Sequence, residues 1–519
     1  MVSKNGLTRR EMLELGVAGG LTVGLGAPAV ARDRKPGTRR RSGPKNIVFM
    51  VADGMSLGVP TLAEPFSHLV RGCGTRWYEL LADPDASQGF FDTCALNSPV
   101  TDSSAAVSAW ATGSRVFNGA LNVLPDGTHL TPIGTLARET GRRVGLVTTT
   151  RITYATPAGF AAAEAKREDE DSVAAQYLRT VDVLLGGGLR NFAATRRSDG
   201  RDLWGEFGEA GYALWNERAQ VLAGKRPQRL LGLFGDSHLP YTIDHRNQRA
   251  IAKGVPTLAE MTDVALDILS STGSGFLLQV EGGRVDHAAH ANDAAALLWD
   301  QLAFDDAIAC VLEFTRREPD TLVIITSDHG CANPGLNGVG ADYRESQSSF
   351  ERIAKATASF EAIIGQLRPK AAGEAPAAPE TVQEIARRAF GLELESAQAA
   401  AIHDAAAGRL PKAIYGHHRY LTGMLGQILC NHNGVGWTGG EHTEDLVLLS
   451  AIGPGAERFQ GLMPNTDAFG HMAALWGIRH ENPQMSAEEA KKYLAAAPVT
   501  RQPHWIDDPR ELEYLTVLT

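Results

Sequence analysis

The sequence predicts an α/β fold, a three-layer sandwich with a mostly parallel central sheet and a largely helical, cap-like insertion. Short apolar segments recur between longer segments with helical spacing, and this alternation favours a parallel sheet between two layers of helices. The alternation stops between residues 341 and 434, where helical spacing alone continues. We therefore expect one α/β core that an insertion interrupts.

Six segments are predicted to be buried strands, because they are continuously apolar, rich in β-branched residues and punctuated by Gly or Asp. They are residues 46–53, 144–150, 181–188, 275–282, 321–330 and 446–453. Helical spacing predicts helices at 103–112, 257–270 and 293–314. The core then occupies residues 46–340 and, with a C-terminal tail, residues 435–519.

The insertion, residues 341–434, is predicted to be mostly helical. Apolar residues from Phe350 to Leu367 follow helical spacing. Thr381 and Glu384 have the spacing of a capping box, which would open another helix that ends at Gly391.

The N-terminal residues 1–31 resemble a twin-arginine-type signal peptide. Arg9 and Arg10 precede a Gly-rich apolar stretch that is too short for a transmembrane helix. Residues 32–45 are predicted to be a basic, disordered tether. We expect export after folding to the periplasm or the extracellular space, with an uncleaved tail as the alternative, and no membrane span.

Charge and cysteine content exclude several classes of protein. The chain has 60 acidic and 50 basic side chains, a net charge of -10, which argues against a nucleic-acid scaffold. Net charge alone also disfavours a phosphate-bearing small molecule, unless bound cations reverse the local field. The five cysteines include no CxxC, so any metal is expected on His and carboxylates.

Polar residues follow several predicted strands, where open α/β sheets bind their ligands. Asp53, Glu281 and Asp328 stand at the ends of such strands. Asp53 is a candidate metal ligand, and a helix cap is its alternative. Asp328 and the adjacent His329 are also candidates, although Asp and Gly are common in turns.

Asp286 and His290 are four residues apart, so on a helix both would lie on one face and could share a metal. A carboxylate with imidazole suits catalytic zinc, while a solvated ion pair is the alternative. His442 follows a Gly-rich segment and by itself is more typical of a surface or core histidine.

Ser103 precedes a predicted helix, where free backbone N–H groups could hold a phosphate. An ordinary serine N-cap is the alternative. The neighbouring sequence offers no base to activate its hydroxyl, so metal coordination would have to do so.

Six motifs, taken in order, closely resemble the alkaline phosphatases: VADGMS, TDSSAAVSAWATGSRVFNGALNV, TRITYATPAGF, VEGGRVDHAAH, TSDHG and GGEHT. The resemblance covers about residues 46–340 and 435–475. It implies two zinc ions and one magnesium ion per chain, with Ser103 as a nucleophile that becomes phosphoserine.

The resemblance also implies the ligands of each ion. The first zinc would be held by Asp286, His290 and His442. The second zinc would be held by Asp53, Asp328 and His329. Asp53 would bridge to the magnesium ion, whose other protein ligands would be Glu281 and Thr156.

The resemblance makes Arg167 the phosphate-clamping arginine and Asp102 its orienting partner, with Arg151 and Lys166 as nearby alternatives.

Tyr154 stands where the family often has Asp or His, which leaves the identity of the third metal open. His287 stands where members have Lys or His. Both Tyr154 and His287 are candidates to support the ligands or to contact substrate.

The function implied is hydrolysis of small-molecule phosphate monoesters, with a broad substrate range and an alkaline optimum. A phosphodiesterase or sulfatase of the same superfamily is one alternative, and a non-catalytic phosphate- or metal-binding protein is another. Family members often form homodimers, so the resemblance also implies a homodimer.

Overall fold

The computed structural model describes residues 43–369, 374–409 and 420–496, which belong to one compact unit. The predicted signal peptide, the tether up to residue 42 and the tail from residue 497 lie outside the described residues. In the part of the chain that is described, no helix has the length and apolarity to cross a bilayer.

Fourteen strands are present in the described residues, and ten of them form the central sheet in the order β14–β2–β13–β8–β1–β7–β3–β4–β6–β5. Only β13 runs antiparallel to its neighbours β2 and β8, so the sheet is mostly parallel as predicted. The strands are β1 (Asn46–Val51), β2 (Ser87–Asp92), β3 (Arg143–Arg151), β4 (Val183–Gly187), β5 (Ala213–Trp215), β6 (Leu230–Leu233), β7 (Phe276–Glu281), β8 (Thr321–Thr326), β9 (Gly330–Cys331), β10 (Gly335–Leu336), β11 (Val435–Gly436), β12 (His442–Thr443), β13 (Val447–Ile452) and β14 (Gly461–Pro464).

The α-helices of the described residues flank this sheet or build the insertion. They are α1 (Gly58–Arg71), α2 (Arg76–Leu81), α3 (Ser103–Thr112), α4 (Ile133–Glu139), α5 (Ala155–Gly159), α6 (Glu170–Thr180), α7 (Leu203–Glu209), α8 (Arg218–Leu222), α9 (Thr242–Asn247), α10 (Arg249–Gly254), α11 (Leu258–Ser270), α12 (Arg284–His290), α13 (Ala294–Arg317), α14 (Gln347–Ile353), α15 (Phe360–Leu367), α16 (Pro379–Phe390), α17 (Ser396–Ala406), α18 (Leu421–Asn433), α19 (Asp467–Leu475) and α20 (Ala487–Ala490).

The central strand β1 is buried on both faces, and its side chains divide between two apolar layers. Val48 and Met50 pack in the layer that holds α11 and α13. Phe49 and Val51 pack in the opposite layer with residues of α3, α4 and α6. Burying each such side chain stabilises the fold by about 1.5–3 kcal/mol. This arrangement confirms the three-layer sandwich.

All six predicted strands are present, and four strands of the sheet were missed. Strand β2 alternates between buried and exposed residues, and β14 is mostly exposed, so neither shows the continuous apolar pattern of a central strand. Strands β5 and β6 have only three and four residues.

The insertion contains helices α14 to α18, and its two ends meet at the core. Strand β10 pairs antiparallel with β11, so residues 335–336 lie beside residues 435–436. The buried Arg284 on α12 forms an ion pair with Glu361 on α15. Asp244 accepts hydrogen bonds from the backbone N (3.0 Å) and Oγ (2.6 Å) of Ser359.

Two predictions within the insertion are wrong. The single helix expected over residues 350–367 is two helices, because Ser359 caps α15 through the N–H of Ala362 (3.1 Å) while Asp244 holds its backbone. Helix α16 begins at Pro379, not at a capping box on Thr381, since proline is suited to a first turn. Its predicted end is confirmed, with Gly391 at φ 63°.

Candidate active site and metal centre

The site lies at the carboxyl edge of four adjacent strands, β8, β1, β7 and β3. Val51 at the end of β1 is in register with Glu281 on β7 and with Thr326 on β8. Thr148 on β3 is also in register with Glu281. Residues that are far apart in the sequence therefore meet where the parallel strands end.

Asp286, His290 and His442 form the first group of candidate ligands. Asp286 and His290 do lie on a helix, α12, which is the condition under which they could share a metal. His290 Nε2 lies 3.3 Å from Asp286 Oδ2 and 3.0 Å from His442 Nε2. The Nδ1 atoms donate to backbone carbonyls, His290 to Gly440 (2.6 Å) and His442 to Thr101 (2.9 Å). These bonds direct both Nε2 atoms towards one point, as metal ligands require.

Asp53, Asp328 and His329 form the second group, and all three are fully buried. His329 Nε2 lies 3.2 Å from Asp328 Oδ2 and 3.5 Å from Asp53 Oδ1. The ring of His329 stacks on that of His442 at 3.6 Å between centroids, which places the two groups side by side. Asp53 does not cap α1, whose N-cap residue is Leu57.

Gly54 allows Asp53 and Asp286 to approach each other. Its φ of +67° is unfavourable for other residues. A Cβ atom at this position would also lie 2.3 Å from Asp286 Oδ1. The glycine is therefore needed both for the turn after β1 and for the space beside the first group.

Glu281 and Thr156 lie next to the second group. Thr156 Oγ1 is 3.4 Å from Asp53 Oδ2. Glu281 accepts hydrogen bonds from Thr148 and from Thr150 Oγ1, the latter at 3.2 Å. The candidate metal-ligand atoms of Asp53, Glu281 and Thr156 are all oxygen atoms, which is the ligand type that magnesium prefers.

Four buried carboxylates have an oxygen without a hydrogen-bond partner among the described residues: Asp53 Oδ1, Glu281 Oε1, Asp286 Oδ1 and Asp328 Oδ2. Burial of an unpaired anionic oxygen is costly, and a bound cation removes that cost. The residues present therefore fit metal ions of the kind that the sequence motifs imply.

The pKa values within the site show how strongly these groups interact. Burial and the charges of Asp328 and Asp286 raise the pKa of Asp53 well above its usual range. Burial raises the pKa of Glu281 to about 7. Although burial opposes it, the charge of Asp286 raises the pKa of His290 to about 9. Burial and the charge of His329 lower the pKa of His442 to about 3.

Ser103 is the first residue of α3 and lies beside the second group, with Oγ 3.2 Å from His329 Nε2. The alternative that Ser103 is an ordinary N-cap is wrong. Asp102 is the N-cap, and its carboxylate accepts from the N–H of Ala105 at 2.8 Å. In this arrangement the Ser103 hydroxyl does not cap the helix and faces the candidate metal ligands.

Arg167 lies next to this helix start. Its NH1 donates to Asp102 Oδ2 at 3.2 Å. Asp102 is itself held by the backbone N–H of Gly119 at 2.8 Å and by the hydroxyl of Ser104. Of the two alternatives, Lys166 is exposed, and Arg151 forms a buried ion pair with Glu170 at 2.7 Å.

Tyr154 and His287 belong to an aromatic cluster beside the site. The ring of Tyr154 meets His238 edge-on at 5.2 Å and His287 at 5.7 Å. Burial raises the pKa of Tyr154 to about 12 and lowers that of His287 well below its usual range. His238 was not identified from the sequence, because it belongs to no recognised motif.

Cys331 lies beside the first group of candidate ligands, and it was not identified from the sequence. Its Sγ lies within 4.8 Å of the ligand atoms of Asp286, His290 and His442, and Cys331 is the register partner of His442 in the β9–β12 pair. Burial raises the pKa of its thiol well above the usual range. All five cysteines are free, as the absence of a disulfide framework predicts.

Comparison with known proteins agrees with this geometry. A family model described as alkaline phosphatase matches residues 44–478. The chain belongs to the alkaline phosphatase family. The match to this family runs through the insertion, which the motifs alone did not cover.

Named relatives and solved structures of alkaline phosphatases cover most of the chain. Alkaline phosphatase 4 of Bacillus subtilis is 31% identical over 480 residues, 88% of this chain and 95% of that protein. The crystal structure of Thermus thermophilus alkaline phosphatase is similar with a TM-score of 0.82 and 36% identity, covering 90% of this chain and 99% of that chain. The crystal structure of a cold-active alkaline phosphatase from the psychrophile Shewanella sp. is similar with a TM-score of 0.67 and 28% identity, covering 83% of this chain and 99% of that chain.

Proposed function

We propose that this member of the alkaline phosphatase family hydrolyses phosphate monoesters to an alcohol and inorganic phosphate through a phosphoserine on Ser103. The proposal includes a broad substrate range and an alkaline optimum. The observation that carries it is the position of the Ser103 hydroxyl, 3.2 Å from Nε2 of His329 and beside both groups of candidate ligands.

The proposed metal content is two zinc ions and one magnesium ion per chain. The residues proposed for the zinc ions are Asp286, His290 and His442 for the first, and Asp53, Asp328 and His329 for the second. Glu281 and Thr156, with Asp53, are proposed for magnesium because they offer only oxygen ligands. When bound, such ions neutralise the phosphate and lower the pKa of the nucleophile's hydroxyl.

The chain's own residues then carry out an in-line displacement. Ser103 Oγ attacks phosphorus and the bond to the alcohol oxygen breaks, which leaves phosphoserine. Attack by water at phosphorus then breaks the Ser103 Oγ–P bond and releases inorganic phosphate. The transition state of such a transfer is loose, so positioning and electrostatics supply most of the catalysis.

Arg167 is proposed to hold the phosphate. Its guanidinium offers five donors in a planar fork, and among the described residues only Asp102 accepts a hydrogen bond from it. The other donors can therefore bind two phosphoryl oxygens. Asp102 orients the fork, because its carboxylate is fixed at the start of α3.

One set of assays separates this function from its alternatives. Hydrolysis of aryl phosphate monoesters, diesters and sulfate esters is measured before and after chelation, for the wild type and for Ser103→Ala. We expect the monoester to be preferred and its rate to fall after either treatment. Preference for the diester or the sulfate would favour a phosphodiesterase or a sulfatase, and no turnover at all would favour a binding protein.

We also propose that the protein is exported after folding, to the periplasm or the extracellular space, and assembles as a homodimer. The proposal of export rests on Arg9 and Arg10, which lie outside the described residues. Replacing both arginines with lysine should retain the protein in the cytoplasm. Light scattering coupled to size-exclusion chromatography tests the dimer.

A further inference from the structure

Tyr154 is placed beside the guanidinium of Arg167. The Cζ atom of Arg167 lies over the Tyr154 ring, 4.9 Å from its centroid. A guanidinium within about 6 Å of an aromatic face is attracted by the negative charge of that face, more strongly where water is excluded. The side chain of Arg167 is only 10% exposed. The contact therefore restrains the same group that Asp102 holds from another position.

The ring itself is fixed by its surroundings. His238 and His287 meet it edge-on, and their own rings are 4.4 Å apart. Arg151 also lies over the ring, with Cζ 5.1 Å from the centroid. Arg151 is tied to Glu170 by three hydrogen bonds of 2.7–3.0 Å and to His238 Nε2 at 2.7 Å. Tyr154 thus belongs to a rigid assembly rather than to a mobile loop.

The backbone places the ring at this point. Tyr154 is the N-cap residue of the short helix α5 and has extended backbone angles, φ -65° and ψ 164°. Its N–H donates to the carbonyl of Arg151 at 2.9 Å. The turn after β3 therefore places Tyr154 towards Arg167, and the first turn of α5 places Thr156 towards the candidate oxygen ligands.

We propose that Tyr154 is a positioning residue whose ring, together with Asp102, holds the guanidinium of Arg167 ready to bind phosphate. This inference rests on the proposed function, in which Arg167 binds the phosphoryl group. The ring acts through its aromatic face, so its hydroxyl is dispensable.

The test measures the affinity for inorganic phosphate by calorimetry in the metal-loaded protein, and the kcat and KM for an aryl monoester. Tyr154→Leu removes the aromatic face and leaves a smaller apolar side chain, and we expect it to weaken phosphate binding about three- to thirtyfold. Tyr154→Phe keeps the face and should restore the affinity to within about twofold of the wild type. Equal losses in Tyr154→Phe and Tyr154→Leu would overturn the proposal, because the hydroxyl would then be the active group.

A double-mutant cycle with Arg167→Ala separates positioning from a general structural effect. In the Arg167→Ala background, Tyr154→Leu should change phosphate affinity by less than about twofold. The ring does not act through Arg167 if the losses of phosphate affinity in Tyr154→Leu and Arg167→Ala add fully, or if excess zinc and magnesium restore the affinity of Tyr154→Leu. The inference then fails, whereas the proposed binding of phosphate by Arg167 is unaffected. If Arg167→Ala leaves phosphate affinity unchanged, the proposed clamp fails as well.

Tyr212 provides a matched control. It also carries an arginine over its ring, with Arg229 Cζ at 3.9 Å, and it lies just before β5 at the far edge of the sheet. Tyr212→Leu should lower the Tm without changing phosphate affinity. A loss of phosphate affinity in Tyr212→Leu equal to that in Tyr154→Leu would show that the effect is general, and would overturn the proposal.

Discussion

The Ser103 hydroxyl oxygen lies 3.2 Å from Nε2 of His329, although the two residues are 226 positions apart in the chain. Ser103 reaches this point because Asp102, and not Ser103, caps helix α3. His329 reaches it because the chain turns directly after β8, and its Nδ1 donates to the carbonyl of Gly330 at 3.2 Å. The proposed nucleophile and a candidate ligand of the second group are therefore positioned by two different elements.

Ser103→Ala should lower kcat for a phosphate monoester by about 10³-fold or more, because no other hydroxyl takes the place of the nucleophile. Steady-state assays measure the loss, and metal analysis should give unchanged stoichiometry. Ser108→Ala, on the same helix, is the control and should keep most of the activity. Turnover by Ser103→Ala at a rate near that of the wild type would contradict the phosphoserine mechanism.

His290→Ala should lose about one zinc per chain, because Nε2 of His290 points at Asp286 and His442. Inductively coupled plasma mass spectrometry of the purified protein counts the ions. His68→Ala, which changes a histidine on the surface helix α1, should keep the full complement. Equal metal content in the two variants would remove His290 from the ligand set.

Chelation should lower the Tm, and added zinc and magnesium should restore it. Each ion that binds only the folded state at about 100 times its Kd adds about 2.7 kcal/mol to the free energy of unfolding. In this protein the ions would also satisfy the four unpaired carboxylate oxygens of the site. A Tm that does not respond to chelation, in a sample shown to have lost its metal, would contradict this account.

Glu361→Gln should lower the free energy of unfolding by about 3 kcal/mol, because a neutral amide replaces the carboxylate that forms the buried ion pair with Arg284. Urea unfolding measures the change, and Arg284→Met with Glu361→Leu should recover most of it. Glu313→Gln is the control, since its ion pair with Arg316 is exposed and should contribute less than about 1 kcal/mol. Similar losses in the two single variants would show that burial is not the cause.

Asp300 should make the folded protein less stable as the pH rises. Burial raises its pKa to about 7, against the charge of Arg284 and the hydrogen bonds that it accepts from Thr242. Because the folded-state pKa lies above the usual value, the stability that this carboxyl contributes is present below about pH 4 and lost as the pH rises through about 7.

Asp300→Asn tests this expectation, since the amide can accept from the N–H of Thr242 and donate to its Oγ1, and it does not ionise. The free energy of unfolding of the wild type, relative to Asp300→Asn, should fall between pH 4 and pH 8. A constant difference across that range would mean that the pKa of Asp300 is not raised.

Local patterns in the sequence were enough to predict most of the core. The continuous apolar runs predicted the six central strands, and the spacing of Asp286 and His290 indicated that both could share a metal if their segment were a helix, which α12 is. These features depend on residues close together in the chain, so they can be recognised without the rest of the structure. Helix α3 has the predicted bounds for the same reason.

The errors occurred where distant groups compete with local preference. Ser359 divides the helix expected over 350–367 because Asp244, 115 residues away, accepts hydrogen bonds from it. Thr101, Asp102 and Ser103 are all acceptable helix caps, so the sequence could not select Asp102. The edge strand β14 pairs with β2 although most of its residues are exposed.

The sequence by itself indicated which residues are candidates to carry chemistry: acids at the ends of strands, an aspartate and a histidine at helical spacing, and a serine at a helix start. Only the tertiary structure decided which of them meet. The order β8–β1–β7–β3 and the register of those strands bring Asp328, Asp53 and Glu281 together, and β12 adds His442 beside α12. The contacts of Tyr154 with Arg167 and of Arg284 with Glu361 likewise join separate elements, and spacing along the chain says nothing about such distances.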